Sequence, residues 1–364
     1  MRIVTVLGTR PEIIRLSLII PKLDRNADRH VLVHTGQNFS RSLSDIFFEE
    51  LGLRKPDHVL MNAQASLGGQ LAAMYSQFEA ILEKEQPDKV LLLGDTNSAL
   101  CAILAERMGI PVVHMEAGNR CYDLRVPEEK NRKVIDAIST INMPYTPQSK
   151  QNLLREGVPV NRIIVTGNPI YEVLQHYTPQ IESSTILNKL QLQPQQYYLV
   201  TAHRAENVDH PEHLAAIIGG LNAAAEQSGH RIICSIHPRT RSKLENQPDI
   251  KLHSLVEFHE PFGFFDFVQL EKHAKCAITD SGTVQEECCI FGVPTVTIRN
   301  TTERPETVDC GSNVVTGLDS KRIADAVRLM SEMNTKWECP AGYTAPDVSD
   351  IVVKYVLGGK TDVS

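Results

Sequence analysis

Apolar positions along the 364-residue chain fall into two kinds of run that take turns from one end to the other. The first kind is short, continuous and rich in β-branched residues, as at 3–7, 31–34, 90–93 and 112–115, which suits strands covered on both faces. The second kind is longer and spaced for a helix: Leu214, Ile217, Ile218 and Leu221 lie at i, i+3, i+4 and i+7. In the first half this pattern predicts helices at 43–51, 67–85, 98–108 and 128–139 and a further strand at 163–166. A polar, Pro- and Gln-rich stretch follows between His176 and Pro194, and the alternation then restarts. Strands are predicted at 198–201, 232–236, 277–279 and 295–298, and helices at 284–291, 321–333 and 348–357. Strand and helix in alternation mean an α/β protein with doubly wound parallel sheets. The length exceeds what one core usually serves, so the reading is a first domain at 1–176, a linker at 177–194 and a second domain at 195–344.

In open parallel sheets, ligands bind beyond the carboxyl ends of the strands, so the residues that follow each strand carry the functional reading. After the first strand, Thr9 with Glu12 forms a capping box and Pro11 is preset for the first turn. The helix amides with Arg10 suit an anion; the same pattern fits an ordinary capped helix with Arg10 and Arg15 in solvent. Asp95, following the strand at 90–93, fits either a helix N-cap or a site acid. The stretch His114 to Arg132 packs Glu116, Arg120, Asp123, Glu128, Glu129 and Arg132 directly behind a buried strand, where a site and a solvated loop rich in ion pairs are the two readings.

In the second half, the strand ends are basic: His203 and Arg204 follow one strand, and His237 and Arg239 another. Ser281, Gly282 and Thr283 then turn into a helix, an arrangement that cradles anions through free amides and hydroxyls. Glu286 and Glu287 come one turn later, where a carboxylate can accept both hydroxyls of a ribose.

Composition narrows the classes. A net charge of −7 argues against a nucleic-acid partner. No apolar run reaches membrane-spanning length and the start of the chain lacks a signal-peptide pattern, so a cytoplasmic protein without membrane attachment is expected. The eight cysteines show no CxxC spacing, which favours buried free thiols over disulfides or a metal site. No GxGxxG dinucleotide fingerprint occurs.

Taken together, GTRPE (8–12), TGQN (35–38), GDTNS (94–98), HMEAGNR (114–120), VPEEKNR (126–132), TGNP (166–169), AHRAEN (202–207), TDSGTVQEE (279–287) and TTERPE (301–306) resemble the non-hydrolysing UDP-N-acetylglucosamine 2-epimerases nearly end to end. The resemblance implies two Rossmann-like domains facing a cleft in the GT-B arrangement, a C-terminal helix at 345–364 returning to the first domain, and a homodimer. It implies that UDP is expelled from C1 as the C2 proton leaves, and that UDP re-adds to the bound 2-acetamidoglucal as a proton returns on the opposite face. By motif, Asp95, Glu116 and Glu128 match the proton-transfer acids and His203 the histidine near the diphosphate. Arg10 matches the nucleotide-binding arginine, and Ser281, Gly282 and Glu287 the phosphate and ribose contacts. Arg15, Arg132, His237 and Arg304 join the expected substrate-binding set.

The sequence also departs from that family pattern. Members acting on UDP-N-acetylglucosamine typically have lysine where Arg15 stands, and a GDLYxPxPEE-type segment where this chain has CYDLRVPEE. HMEAGNRC and RVPEE resemble the branch with UDP-2,3-diacetamido-glucuronate and UDP-N-acetyl-fucosamine-type 2-epimerases, whereas TTERPE resembles the main branch. MNAQASLGGQ (61–70) differs from the segment linked to activation by a second substrate molecule. A GT-B glycosyltransferase would share the cradle, but it has no need for acids on both faces of C2. A hydrolysing epimerase would release free sugar and UDP, and a nucleotide-sugar sensor would bind without turnover.

Overall fold

The structure, a computed structural model, describes residues 1–37, 41–61, 64, 66–236, 240, 243–244, 250–333 and 336–360, with the side chains of 41–45 and 205–206 outside the description. The chain forms two compact units, one of Met1–Gln175 with the chain from Ala341 onward, the other of His176–Pro340.

The first unit is built on strands β1 (Arg2–Leu7), β2 (Arg29–His34), β3 (His58–Val59), β4 (Lys89–Leu93), β5 (Val112–Met115) and β6 (Ile141–Met143). They form one sheet in the order β3-β2-β1-β4-β5-β6, and every pairing is parallel. Val4 sits opposite Val31 on one side and Val90 on the other. On one face Val4, Val6, Val33, Val90, Leu92 and Val112 pack with Phe78, Leu82, Ala105 and Ile135. On the other, Ile3, Leu91 and Val113 are equally buried, which is why these strands read as unbroken apolar runs.

The second unit repeats the plan with β7 (Tyr197–Thr201), β8 (Arg231–Ser235), β9 (Val256–His259), β10 (Cys276–Thr279), β11 (Thr295–Thr297) and β12 (Asn313–Val315). Their order, β12-β11-β10-β7-β8-β9, is the first sheet's order read from the opposite edge. Tyr198, Val200, Ile232 and Ile278 pack on one face with the helical ridge Leu214, Ile217, Ile218 and Leu221. Tyr197, Leu199, Ile233 and Ala277 pack on the other with Leu270, Val284 and Cys288. The expected α/β class with two doubly wound parallel sheets is the observed one.

Several expectations meet a different outcome. The apolar run at 163–166 forms no strand of the sheet: it makes an isolated bridge, Asn142 to Ile163, the Ile164 and Thr166 amides donate to the Asn142 and Pro144 carbonyls, and Val165 is 38% exposed. The stretch after His176 holds two short helices, Thr178–Glu182 and Ile186–Lys189, with Ile181, Ile186 and Leu192 buried. All eight cysteines are free thiols, and Cys121, Cys310 and Cys339 are only half-buried.

The chain ends in the helix Val348–Gly358, whose Val348, Val352, Val353 and Val356 are buried within the first unit. Lys22 reaches Ser349 at 2.7 Å and Asp350 at 2.5 Å, and Lys89 Nζ donates to the Gly359 carbonyl at 2.8 Å. A cation on the last carbonyls of a helix complements its dipole. No helix among the described residues is long and apolar enough to cross a membrane.

Candidate active site

In each sheet the strand order reverses at the centre, between β1 and β4 in the first and between β7 and β10 in the second. Such switch points open a crevice at the carboxyl ends of the strands. In the first unit the β1 and β4 ends are joined by Glu12, which is buried in the helix Arg10–Leu16. Its Oε2 accepts from the Gly8 and Thr9 amides, and its Oε1 accepts from the Thr96 hydroxyl at 2.7 Å. Burial pushes this carboxyl up to about 7, against the pull of those donors. Gly8 lies so close that a Cβ there would sit 2.0 Å from Ser98 Oγ and 2.3 Å from Thr35 Oγ1.

Two of the predicted acids lie at this edge, each with a predicted arginine. Glu116 follows β5 in a left-handed conformation, φ 66°, and its Oε2 accepts from Arg15 Nη1 at 2.6 Å with both groups buried. The Arg15 guanidinium also stacks 5.8 Å from the Tyr145 ring centre. Asp95 follows β4, and its Oδ2 accepts from Arg132 Nε at 2.7 Å. Arg132 lies on the helix Pro127–Ile138, and Asn131 beside it donates to the Asp95 carbonyl at 2.9 Å. Glu128 sits in the first turn of the same helix, and its shielded Oε2 makes no hydrogen bond among the described residues. Arg10 is exposed, with its guanidinium 5.5 Å from the Phe47 ring centre.

The stretch 114–132 is thus part site and part frame, with only Asp123 and Arg125 behaving as a solvated pair. Glu129, fully buried, accepts from the Cys121 and Tyr122 amides, both at 3.0 Å, and from Arg132 Nη1 at 2.7 Å. His114 joins the Gly94 carbonyl to Asp136, while Arg120 joins Asp136 to Glu156. Sequence reasoning gave His114, Glu129 and Asp136 no role of their own. For His114 the available signal was its polar character amid an otherwise apolar strand, whereas the buried face of the helix, Glu129, Arg132, Ile135 and Asp136, offered no such contrast.

In the second unit Asp280, at the end of β10, plays the joining part. It accepts from the His203 and Arg204 amides, both at 2.9 Å, and from Asn207 Nδ2 at 3.0 Å. His203 Nδ1 lies 3.0 Å from its other oxygen, and the His203 ring is 45% exposed. Burial pushes the Asp280 carboxyl up, but His203 and Arg204 outweigh it and hold it at about 2. Ser281 occupies the N-cap position of the helix Gly282–Phe291 without a side-chain capping bond among the described residues. A Cβ on Gly282 would lie 2.7 Å from Glu303 Oε1, so a larger residue there would have to displace that carboxylate. Arg304 is buried and paired with Glu286, while Glu287 is buried on the same helix. His237 lies outside the described residues, as does part of the segment 61–70.

Comparison with known proteins agrees with this plan. The family model described as UDP-N-acetylglucosamine 2-epimerase matches residues 21–356. A Methanocaldococcus jannaschii protein named UDP-N-acetylglucosamine 2-epimerase is 41% identical, over 94% of this chain and 95% of its own. A Pseudomonas aeruginosa protein named UDP-2,3-diacetamido-2,3-dideoxy-D-glucuronate 2-epimerase is 34% identical, over 90% of this chain and 92% of its own. The crystal structure of the M. jannaschii UDP-GlcNAc 2-epimerase, in complex with UDP-GlcNAc and UDP, superposes with a TM-score of 0.92 at 39% identity, over 98% of this chain and 100% of that one. On its strand-end residues, its two parallel sheets and these matches, the chain belongs to the UDP-N-acetylglucosamine 2-epimerase family.

Proposed function

We propose that the enzyme interconverts UDP-N-acetylglucosamine and UDP-N-acetylmannosamine by eliminating UDP and adding it back. The observation that carries this reading is the pair of acids at the carboxyl edge of the first sheet, each aimed by its own arginine: Glu116 by Arg15 and Asp95 by Arg132. The proton on C2 of the sugar is a weak acid, so its removal needs a base held in place and a leaving group whose charge is met. In the proposed cycle one acid takes the C2 proton as the C1–O bond to UDP breaks, leaving 2-acetamidoglucal and UDP. UDP then re-adds at C1 while another acid returns a proton to the opposite face of C2. Asp95, Glu116 and Glu128 are proposed to share these transfers. His203, Arg10 and His237 are proposed to meet the diphosphate, with Ser281 and Gly282 at its helix N-terminus and Glu287 at the ribose. Arg304 is proposed to act through Glu286, with which it pairs.

A modified UDP-sugar is the less supported substrate, since the relative named for the diacetamido-glucuronate is less similar than the one named for UDP-N-acetylglucosamine. On the family resemblance we further propose a cytoplasmic homodimer needing no cofactor. Incubation with UDP-N-acetylglucosamine in deuterium oxide tests the chemistry. The mannose epimer should appear with deuterium at C2, and epimer formed without solvent label would falsify proton transfer at that carbon.

A further inference from the structure

We propose that His114 is a charged positioning residue whose imidazolium donates from both ring nitrogens, to the Gly94 carbonyl and the Asp136 carboxylate, and so holds the backbone that carries Asp95 and Glu116. The argument rests on what each ring nitrogen faces. Nε2 lies 2.8 Å from the Gly94 carbonyl oxygen, which only accepts. Nδ1 lies 2.9 Å from Asp136 Oδ1. A neutral ring has one hydrogen for these two acceptors, so one contact would set lone pair against lone pair. A proton on Asp136 Oδ1, donated to Nδ1, would relieve this, but the donors on its other oxygen hold Asp136 as the carboxylate. Its Oδ2 already accepts from the Gly118 amide at 3.0 Å and from Arg120 Nη2 at 2.8 Å, both of which favour the carboxylate.

The result is a chain of alternating charge, His114, Asp136, Arg120 and Glu156, buried as far as Arg120, in which each cation meets an anion. Two acids, Asp136 and Glu116, favour the charge on the ring. Asp136 approaches from the helix Pro127–Ile138, and Glu116 adds attraction from the end of β5. Burial pulls the ring toward neutrality, yet these partners leave it above the ordinary histidine range.

The ring's placement gives the charge a task. Gly94 directly precedes Asp95 and also donates its amide to the Met115 carbonyl at 3.1 Å. Both backbone polar groups of Gly94 are therefore tied to β5, the carbonyl through His114. On the other side, Asp136 takes the Gly118 amide, two residues beyond Glu116. One imidazolium thus fixes the spacing between two strand ends whose acids are proposed to act on the same sugar. Small misplacements of such groups cost rate rather than binding.

The activity arm of the test rests on the proposed epimerisation, whereas the protonation arm does not. Histidine side-chain nitrogen NMR on the full chain at pH 7.5, with the His114 signals assigned by their loss in His114→Gln, should show two protonated nitrogens. In His114→Asn the amide can reach Asp136 but not Gly94. It should lose roughly a hundredfold in kcat with KM within a few-fold. His114→Gln, whose amide can reach toward Gly94, should stay within roughly tenfold of the parent. A singly protonated ring at pH 7.5 overturns the proposal whatever the variants do, and so does His114→Asn turning over like the parent. A purely structural histidine would lower the melting temperature of both variants while sparing kcat. Absence of turnover by the parent on UDP-2-acetamido sugars would sink the functional reading, while the nitrogen spectrum would still decide the charge.

Discussion

Glu12 is caught between opposing demands. Two amides and a hydroxyl favour its anion, while burial outweighs them and raises its carboxyl from an ordinary 4.5 to about 7. Between those values the folded chain keeps a proton that the unfolded chain has released, so stability falls as pH rises through that window. At 1.36 kcal/mol per unit the loss is on the order of 3 kcal/mol. Glu12→Gln keeps a neutral group of the same shape, so its melting temperature should exceed the parent's at pH 8 and match it near pH 5. A parent melting curve that does not move between pH 5 and 8 would refute this. Asp280 has the opposite sign. Held at about 2 against an ordinary 3.8, it contributes stability above pH 3.8 that is lost as pH falls toward 2. The same titration, carried down to pH 2, should show stability falling at both ends.

At the scale of elements, Glu129 ties the helix Pro127–Ile138 to the turn just before it. It satisfies the amides of Cys121 and Tyr122, the latter at φ 57°, and pairs with Arg132, which in turn holds Asp95. Glu129→Ala would strand two amides and leave a buried guanidinium short of one partner. We expect a loss of roughly 3–5 kcal/mol in denaturant unfolding, with a fall in kcat as Arg132 shifts. A loss below about 1 kcal/mol, the range of an exposed pair, would show that the contact is dispensable. The edges of the sheets mark where sequence ceased to be legible. Inner strands such as β4 and β7, buried along their whole length, read as apolar runs. The four strands that the pattern missed, β3, β6, β9 and β12, are the four sheet edges. They run for two to four residues, and β3, β9 and β12 are only partly buried, so no unbroken apolar run marks them. The strand-end acids were legible because position after a strand is a local property. The parts played by His114, Asp136 and Asp280 were not, because each depends on contacts with residues 18 to 77 positions away.

At the scale of the molecule, the first unit is discontinuous: the chain leaves it at Gln175 and re-enters at Ala341. Its last helix buries Val348, Val352, Val353 and Val356. At roughly 1.5–3 kcal/mol per valine this is about 6 kcal/mol or more, comparable with the whole stability of a domain. A chain ending at Pro340 should therefore lose the cooperative unfolding of its first unit and keep that of the second, as calorimetry would register. Two undiminished transitions would contradict this. The same discontinuity sets an order of events during synthesis. The second unit is contiguous and can close as soon as Pro340 clears the ribosome, whereas the first must wait for a helix encoded roughly 180 residues after its own first part ends. At roughly 5–20 residues per second that wait lasts on the order of ten to forty seconds. For that interval Lys89, Lys22 and the apolar surface beneath the missing helix have no helix to meet. The half of the protein made first is the half completed last, and chaperones that shield apolar surface would be needed most by the N-terminal sheet.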